Sequence, residues 1–237
     1  MRINRYIASS GHCSRRRADQ LIEEGRVMVN GEKAQIGMTI KKDDRVTVDG
    51  KDIAAIPDDE RVVLVFHKPA GITCTSDPKR RDNIIDYIDY HKRIFTVGRL
   101  DRDSRGLILL TDDGILAHRI MHSSFGHEKE YRVTVDRPID ESFLNNMREG
   151  VMLEDQMTLP ARAWQTAERT FHLVISQGLN RQIRRMCEAL GFEVIDLLRV
   201  RVMHITLGSQ KEGELRELSP KEKQELFKNL GMEDGRP

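Results

Sequence analysis

The chain has 237 residues, of which 38% are hydrophobic and 32% are charged, with a formal net charge of +1. This length predicts a small domain together with a larger one. The composition is that of a globular protein, because the net charge is too small to cause disorder. The three cysteines form no CxxC pair and no apolar run approaches ~18 residues, so we expect a cytoplasmic protein without a disulfide framework, a zinc site or a membrane contact.

Two short helices and two hairpin patterns are predicted in the first 56 residues. Residues 4–10 are typical of a helix, and Ser14 can cap a second helix that ends at Gly25. The strand patterns lie at residues 27–29 and 45–50, with turn signals at Asn30-Gly31 and Asp49-Gly50. This region holds seven Arg and four Lys against eight Asp and Glu, an excess of positive charge that suits an anionic partner.

A polar stretch with Pro57 predicts a linker at residues 57–61, between a module of residues 1–56 and a domain of residues 62–237. In the larger domain we predict strands at 62–66, 94–100, 107–111, 131–136, 158–165, 171–176 and 194–207. We predict helices at 84–90, 115–122, 140–149 and 181–190, and a last helix with a capping box from Ser219 to Glu222. Since strands often follow strands directly, we expect an α+β fold with a mainly antiparallel mixed sheet flanked by helices.

An aspartate holds an unusual place in GRLDRDSRGLILL, residues 98–110. Asp101 follows a predicted strand and precedes Gly106 and an apolar run. On spacing alone, Asp101 caps a turn and pairs with a neighbouring arginine. The alternative is a buried carboxylate that a nearby cation keeps ionised, and such a group can act as a nucleophile or base.

A candidate partner for Asp101 lies in the predicted helix of residues 181–190, which Asn180 can cap. Arg184 lies beside the apolar stripe of this helix. It either pairs with Glu188 on a solvated face or reaches Asp101 by a two-pronged bond, while other arginines meet phosphates.

Two strand segments allow a structural and a functional interpretation. Tyr131 is either a core aromatic whose hydroxyl finds a local acceptor, or a residue that stacks on a planar ligand and offers its phenol for proton transfer. The turn in FHKPAG, residues 66–71, is interpreted first as scaffold and second as a ligand contact through Lys68.

Five motifs in this order resemble a known family: KPAG at 68–71, GRLDRDSRGL at 98–107, KEY at 129–131, NRQIRR at 180–185 and LLR at 197–199. They resemble the RsuA-type pseudouridine synthases, and together they are far more specific than any one alone. Residues 2–31 resemble the α-L RNA-binding module that the family shares with a ribosomal small-subunit protein. Within the family, the chain is most similar to the F type of large-subunit synthase.

The resemblance implies an enzyme that isomerises a uridine in RNA without cofactor or metal, by detaching the base, turning it and rejoining it through a ring carbon. It implies that Asp101 is the catalytic aspartate, that Arg184 is its paired arginine and that Tyr131 lies against the target base. Whether Asp101 attacks the sugar or the ring stays open. Ser104 and His67 depart from the family, which often has threonine and asparagine there.

The implied substrate is 23S ribosomal RNA, and some relatives of this branch also act on transfer RNA. The resemblance implies that Leu198 lines the pocket, and we expect Lys129 there as well. Because the target base must leave its stack, we expect Arg99 to fill the vacated space or to hold a phosphate. We expect a monomer. Phosphate contacts are expected at eight arginines: Arg2, Arg5, Arg15, Arg16, Arg17, Arg26, Arg181 and Arg185.

Three other interpretations compete. A silent RNA-binding protein is disfavoured because Asp101, Tyr131 and Arg184 all match the family motifs. A methyltransferase is disfavoured because no glycine-rich strand-to-helix turn with an acidic ribose partner follows. A metal hydrolase would use the histidines at 118, 122 and 127, but they lack the HExxH glutamate, so surface histidines explain them better.

Overall fold

The computed structural model describes residues 1–54, 56, 61–122, 126–154 and 156–232. Of the predicted linker at residues 57–61, all but residue 61 lies outside the described residues. No helix in the described ranges is long and apolar enough to cross a membrane.

The first sheet organises the N-terminal region. The helices are α1 (Ile3–Ser9) and α2 (Arg15–Glu23), and the strands are β1 (Val27–Val29), β2 (Glu32–Lys33), β3 (Val46–Val48) and β4 (Lys51–Ile53). The four strands are antiparallel in the order β2-β1-β3-β4. Both predicted turns are confirmed, since Asn30 and Asp49 adopt the positive φ that a two-residue hairpin turn requires. A separate core of residues between Ile3 and Ile53 lies under this sheet.

The second sheet organises the remainder of the chain. Its strands are β5 (Val63–Lys68), β6 (Phe95–Val97), β7 (Arg105–Thr111), β8 (Lys129–Val135), β9 (Arg162–Ala167), β10 (Thr170–Ile175), β11 (Val194–Val202), β12 (Ile205–Thr206) and β13 (Leu215–Glu217). The main order is β13-β5-β7-β11-β8-β10-β9, with β6 on β7 and β12 on β11. Among the described strands, β7 and β11 pair in parallel and the other pairs are antiparallel. The predicted mainly antiparallel α+β fold is therefore confirmed.

Helices cover both faces of this sheet. They are α3 (Ile84–Ile88), α4 (Gly114–Met121), α5 (Glu141–Glu149), α6 (Gln182–Ala189) and α7 (Pro220–Asn229). One core joins the sheet to α3, α5 and α6, and a second core joins its other face to α4 and α7. The predicted capping box of α7 is confirmed, because Ser219 and Glu222 each bond the backbone N–H of the other.

Three predicted strands differ from the observed bounds by more than the others do. The strand expected at 94–100 ends at Val97, because Gly98 has a φ of +76° and turns the chain away. The strand expected to start at Thr158 starts at Arg162, because Thr158 bonds instead to the backbone of Val151. The strand expected at 194–207 is interrupted by a turn at Met203, which has a φ of +53°.

The two central parallel strands approach each other at a glycine. Gly106 has a φ of +112°, and a Cβ atom there would lie 2.3 Å from the carbonyl oxygen of Arg199. Only glycine fits such a contact without displacing the backbone. Gly106 thus fixes where β11 lies relative to the turn that precedes β7.

Candidate active site

A cavity of about 350 Å³ opens where the turn before β7 meets β8, β11 and the start of α6. Its wall combines apolar side chains with charged ones. The charged and phenolic groups in the wall are Arg99, Asp101, Lys129, Tyr131, Arg181, Arg184 and Arg199. A half-open site with both apolar and charged walls suits one planar, polar ligand.

The turn that carries Asp101 is braced from inside by a buried lysine. Lys68, at the end of β5, is fully buried, and its Nζ donates to the carbonyl oxygens of Pro69 at 2.9 Å, Ser104 at 2.7 Å and Arg102 at 3.4 Å. Burial lowers the pKa of the Lys68 ammonium. The interpretation of FHKPAG as scaffold is confirmed, since Lys68 satisfies the turn's own carbonyl groups.

Asp101 faces the cavity and is not fully buried. Its side chain is 35% exposed, and its Oδ2 lies 3.8 Å from Nη1 of Arg181. The alternative of a buried carboxylate is wrong, because the side chain is partly exposed where it lines the cavity. The backbone carbonyl of Asp101 accepts a hydrogen bond from the N–H of Ser104 at 3.1 Å, which closes the turn.

The two-pronged bond predicted between Arg184 and Asp101 does not form in this structure. Nη2 of Arg184 lies 3.2 Å from Oδ2 of Asp103, and its Nη1 donates to the carbonyl oxygen of Val194 at 3.1 Å. The guanidinium therefore contacts Asp103 and not Asp101, because the carbonyl group of Val194 holds it on the Asp103 side of the cavity. The alternative pair with Glu188 does not form either, because the same two contacts turn Arg184 inward.

Arg181 was predicted to contact a phosphate, but in the structure it lies beside Asp101, the candidate nucleophile. It precedes α6 with a φ of +47°, and its Nη1 lies 3.4 Å from Oδ1 of Asp103 as well as near Asp101. The expected cap at Asn180 is wrong, because Gln182 accepts the N–H of Leu179 at 3.1 Å and Arg181 takes the cap position. A non-glycine residue in this conformation is strained, and such strain often occurs at functional sites.

Tyr131 is a core aromatic, as the structural interpretation predicts, and it also faces the cavity. It is 8% exposed and packs in the core beside Val133, while the ring also lines the cavity. Among the described residues its hydroxyl has no hydrogen-bond partner, so the expected local acceptor is absent there. The phenol is therefore available to a ligand in the cavity.

The pocket prediction at Leu198 is wrong by one residue. Side chains alternate along β11, so Leu198 packs in the opposite core while Leu197 and Arg199 line the cavity. Arg199 was missed: it pairs across the sheet with Tyr131, is 4% exposed, and its Nε donates to the carbonyl oxygen of Leu107 at 2.7 Å. The sequence does not show which of the two leucines faces the cavity, because Leu197 and Leu198 are chemically identical and lie on opposite faces of the strand.

The other two predicted pocket residues lie at the cavity. Burial and the charge of Arg199 lower the pKa of Lys129, whose Nζ donates to the carbonyl oxygen of His127 at 3.3 Å. Arg99 lines both this cavity and a second cleft of about 430 Å³ beside it. Ser104, the first departure from the family, keeps a hydroxyl that accepts from Arg184 at 3.4 Å.

His67, the second residue that departs from the family pattern, is buried. His67 has its Nδ1 2.8 Å from the carbonyl oxygen of Gln210, while its Nε2 has no hydrogen-bond partner among the described residues.

The six arginines predicted to contact phosphates in the N-terminal module differ in whether they form ion pairs. All six arginines predicted there are exposed. Arg17 pairs with Glu24, and Arg26 pairs with Glu24 and Asp49. Four have no ion pair within the described part of the chain: Arg2, Arg5, Arg15 and Arg16. Those four carry charge that is not already neutralised.

Arg185, the last of the predicted phosphate contacts, is half-buried on α6. The described residues contain no group of three His, Cys, Asp or Glu placed to hold a metal ion. His118 and His122, which motivated the metal hydrolase, contact each other through their rings at 5.0 Å.

Both parts of the chain are similar to proteins of known families. Residues 62–189 match the family model described as RNA pseudouridylate synthase, and residues 1–51 match the S4 domain model. The chain is 45% identical over 228 residues to the dual-specificity RNA pseudouridine synthase RluF of Escherichia coli, covering 96% of this chain and 79% of the relative. It is 36% identical over 234 residues to the ribosomal large subunit pseudouridine synthase B of Bacillus subtilis, covering 95% of both.

A solved structure agrees with these relatives. It is described as a crystal structure of pseudouridylate synthase, matches with a TM-score of 0.70 at 32% identity, and covers 95% of this chain and 99% of its own.

Proposed function

The chain belongs to the RNA pseudouridylate synthase family and is an RNA pseudouridine synthase with an N-terminal S4 domain, and we propose that it acts on 23S ribosomal RNA through an aspartate nucleophile. The observation that carries this proposal is the position of Asp101, at the mouth of a cavity that also contains Tyr131 and a cationic wall. A relative whose name specifies the large ribosomal subunit supports the 23S target.

In the proposed reaction, a uridine leaves its stack and enters the cavity, at a cost of about a few kcal/mol. Asp101 attacks as the nucleophile and forms a transient bond to the nucleotide, and the bond between the sugar and the ring nitrogen breaks. A bond from the sugar to a ring carbon then forms, and the bond to Asp101 breaks again. That carbon loses a proton and the nitrogen gains one, so the atoms balance without a co-reactant. The ring of Tyr131 lies against the base, and its free hydroxyl suits one of these proton transfers.

The arginines beside Asp101 supply the electrostatic part of the proposal. Arg181 lies beside the carboxylate of Asp101 directly. Arg184 is linked to the same site through Asp103, which contacts both arginines. Such positive charge attracts the carboxylate more strongly when RNA closes the cavity and excludes water. We propose that Arg184 completes a direct pair with Asp101 only once substrate is bound, since catalytic contacts often tighten in the complex.

We further propose that residues 1–56 grip RNA, that residues 57–61 form a linker, and that residues 62–237 carry out the reaction, in a monomer that works in the cytoplasm. Two sheets with separate cores support this division. Transfer RNA is a second candidate substrate, because the relative RluF is named as dual-specificity.

The test combines one substitution with a map of the product. Asp101→Asn should fold and bind RNA but form no pseudouridine, since an amide is not a nucleophile of this kind. Pseudouridines are mapped in 23S and transfer RNA from cells with the wild-type chain, the variant or neither. Glu188→Gln, which removes an exposed charge on α6, should retain full activity. A variant at position 101 that still forms product would disprove the nucleophile assignment.

A further inference from the structure

A polar arm, defined here as residues 73–83, lies between β5 and α3 beside the cavity. Its two ends are joined by backbone bonds, from the N–H of Thr73 to the carbonyl oxygen of Asp82 at 2.7 Å and from the N–H of Ile84 to that of Thr73 at 3.0 Å. Residues 76–81 at its tip are exposed. The arm therefore has a defined base and a solvent-facing tip.

Asp82, at the base of the arm, joins it to the turn that carries Asp101. Its carboxylate accepts from the hydroxyl of Thr73 at 2.7 Å, from Nε of Arg80 at 3.1 Å and from Nε of Arg102 at 2.9 Å. These donors hold the pKa of Asp82 well below its usual range. Arg102 directly follows Asp101, so Asp82 holds the turn from outside while Lys68 holds it from inside.

Two cations at the tip of the arm are not neutralised. Lys79 and Arg81 are exposed, and neither has an ion pair within the described ranges. Arg80 between them is already engaged by Asp82. The tip therefore presents positive charge outward, in a form that suits phosphate groups.

The second cleft connects the arm to the cavity. Thr75 and Ser76 of the arm line this cleft together with Phe95 and Arg99. Arg99 lines the cavity as well, so the cleft and the cavity share this cationic side chain. A polynucleotide strand that leaves the cavity can follow Arg99, the cleft and the arm in that order.

We propose that Lys79 and Arg81 bind phosphates of the RNA strand beside the target uridine, and that Asp82 is a positioning residue that transmits this contact through Arg102 to the turn of Asp101. The inference rests on the proposed function, because it requires RNA in the cavity. The bonds of Asp82 make the arm and the turn one rigid unit, so a phosphate held at the tip is held at a set distance from the nucleophile.

The first experiment measures phosphate binding. Lys79→Ala/Arg81→Ala should raise KM for RNA several-fold, and should lower the slope of log affinity against log salt concentration by about 1.4 to 1.8, as expected for two lost phosphate contacts. Lys221→Ala/Lys228→Ala removes two exposed charges from α7 and is the matched control. Equal KM values and slopes for the two double variants would overturn the phosphate role.

The second experiment measures positioning. Asp82→Asn should lower kcat roughly 10- to 100-fold with a small change in KM, because a displaced turn misplaces Asp101. Arg102→Ala breaks the same bond from an exposed side chain and should lower kcat similarly, and the double variant should be no slower than either single one. Asp82→Glu, which keeps the charge, should recover part of kcat.

The matched control is Asp136→Asn, which removes a carboxylate that also bonds an arginine and a backbone N–H, but lies outside the cavity. Thermal unfolding of each variant shows whether it is folded. A normal kcat in Arg102→Ala, or additive losses in the double variant, would refute the positioning role. If the wild-type enzyme forms no pseudouridine in 23S or transfer RNA, the proposed substrate fails; if it does and the variants match their controls, only the arm inference fails.

Discussion

At the scale of single residues, the turn of Asp101 is held by groups of opposite charge. Lys68 holds it through three carbonyl oxygens inside the fold, and Asp82 holds it through Arg102 at the surface. A catalytic group must be kept within ~0.5 Å of its productive position. Two independent braces on one short turn provide that restraint without placing another carboxylate against Asp101.

Gly106 provides a direct test of the close approach between β7 and β11. Gly106→Ala should lower the free energy of unfolding by about 3 kcal/mol or more, because the new Cβ would overlap the backbone of Arg199 and the positive φ adds strain. Urea unfolding of the variant measures this loss. Activity should fall as well, since Arg199 lines the cavity.

The control for this substitution is Gly114→Ala at the start of α4. A Cβ there would lie 4.0 Å from the ring of Phe95, an ordinary contact, and alanine favours a helix. This variant should match or slightly exceed the wild-type stability. If both alanine variants unfold at the same urea concentration, the close approach at Gly106 has no energetic consequence.

At this scale, the sequence located the cavity but not its contacts. Asp101, Tyr131, Lys129 and Arg99 were predicted and lie in the wall of the cavity, because motifs mark positions along the chain. The partner of Arg184 was not predictable. Several arginines and carboxylates lie within a few residues of one another, and their pairing depends on side-chain geometry that no spacing rule determines.

At the scale of elements, amphipathic helices were predicted well and their ends less well. In the apolar stripe beside Arg184, Ile183, Met186 and Cys187 are buried, while Leu190 at the end of the helix is half-buried. The predicted start of α6 differs from the observed one by a single residue, because Arg181 takes a left-handed conformation that favours glycine or asparagine. The tertiary contacts of Arg181 outweigh its local preference.

The C-terminal helix α7 gives a prediction about pH. Hydrogen bonds from Arg216, with further bonds from Ser219, lower the pKa of Glu222 from 4.5 to about 2. A carboxylate with a lowered folded-state pKa stabilises the fold above its unfolded pKa, and this contribution is lost as the pH falls from 4.5 toward 2. Glu222→Gln should therefore lower the free energy of unfolding by about 1 to 2 kcal/mol at pH 7, after allowance for solvent screening.

Urea unfolding at pH 7 and at pH 3 tests this prediction, because the difference between wild type and variant should shrink at the lower pH. Glu225→Gln is the control, since Glu225 is exposed on the same helix and has no ion pair among the described residues. A difference that stays constant between the two pH values would contradict the assigned role of Glu222.

At the scale of the whole molecule, strand order was beyond prediction from sequence. The mainly antiparallel arrangement followed from short connections such as that between β9 and β10. The parallel pairing of β7 with β11 joins segments that are far apart along the chain. Such pairing is decided by the packing of both cores at once, which local patterns do not encode.

The distribution of charge over the molecule gives a prediction about RNA affinity. Arg15 and Arg16 on α2 are exposed and have no ion pair in the described part of the chain, so they are available to phosphates. Arg15→Ala/Arg16→Ala should lower the slope of log affinity against log salt concentration by about 1.4 to 1.8. Filter binding of a ribosomal RNA fragment over a range of salt concentrations measures the slope.

The control lies in the same module. Arg17→Ala/Arg26→Ala removes two arginines that are already paired with Glu24 and Asp49, so its slope should change less. Equal slopes for the two double variants would show that ion pairing inside the module does not decide which arginines bind RNA.

The parallel pair at the centre of the large sheet has a consequence for biosynthesis. During translation, β7 and Asp101 leave the ribosome long before α6 and β11. The two later elements contain Arg184 and Arg199, which line the same cavity as Asp101. Contacts of such high sequence separation form late in folding, because closing a long loop costs chain entropy first. A nascent or truncated chain therefore has no assembled catalytic centre, and the enzyme becomes competent only when almost all of its chain has been synthesised.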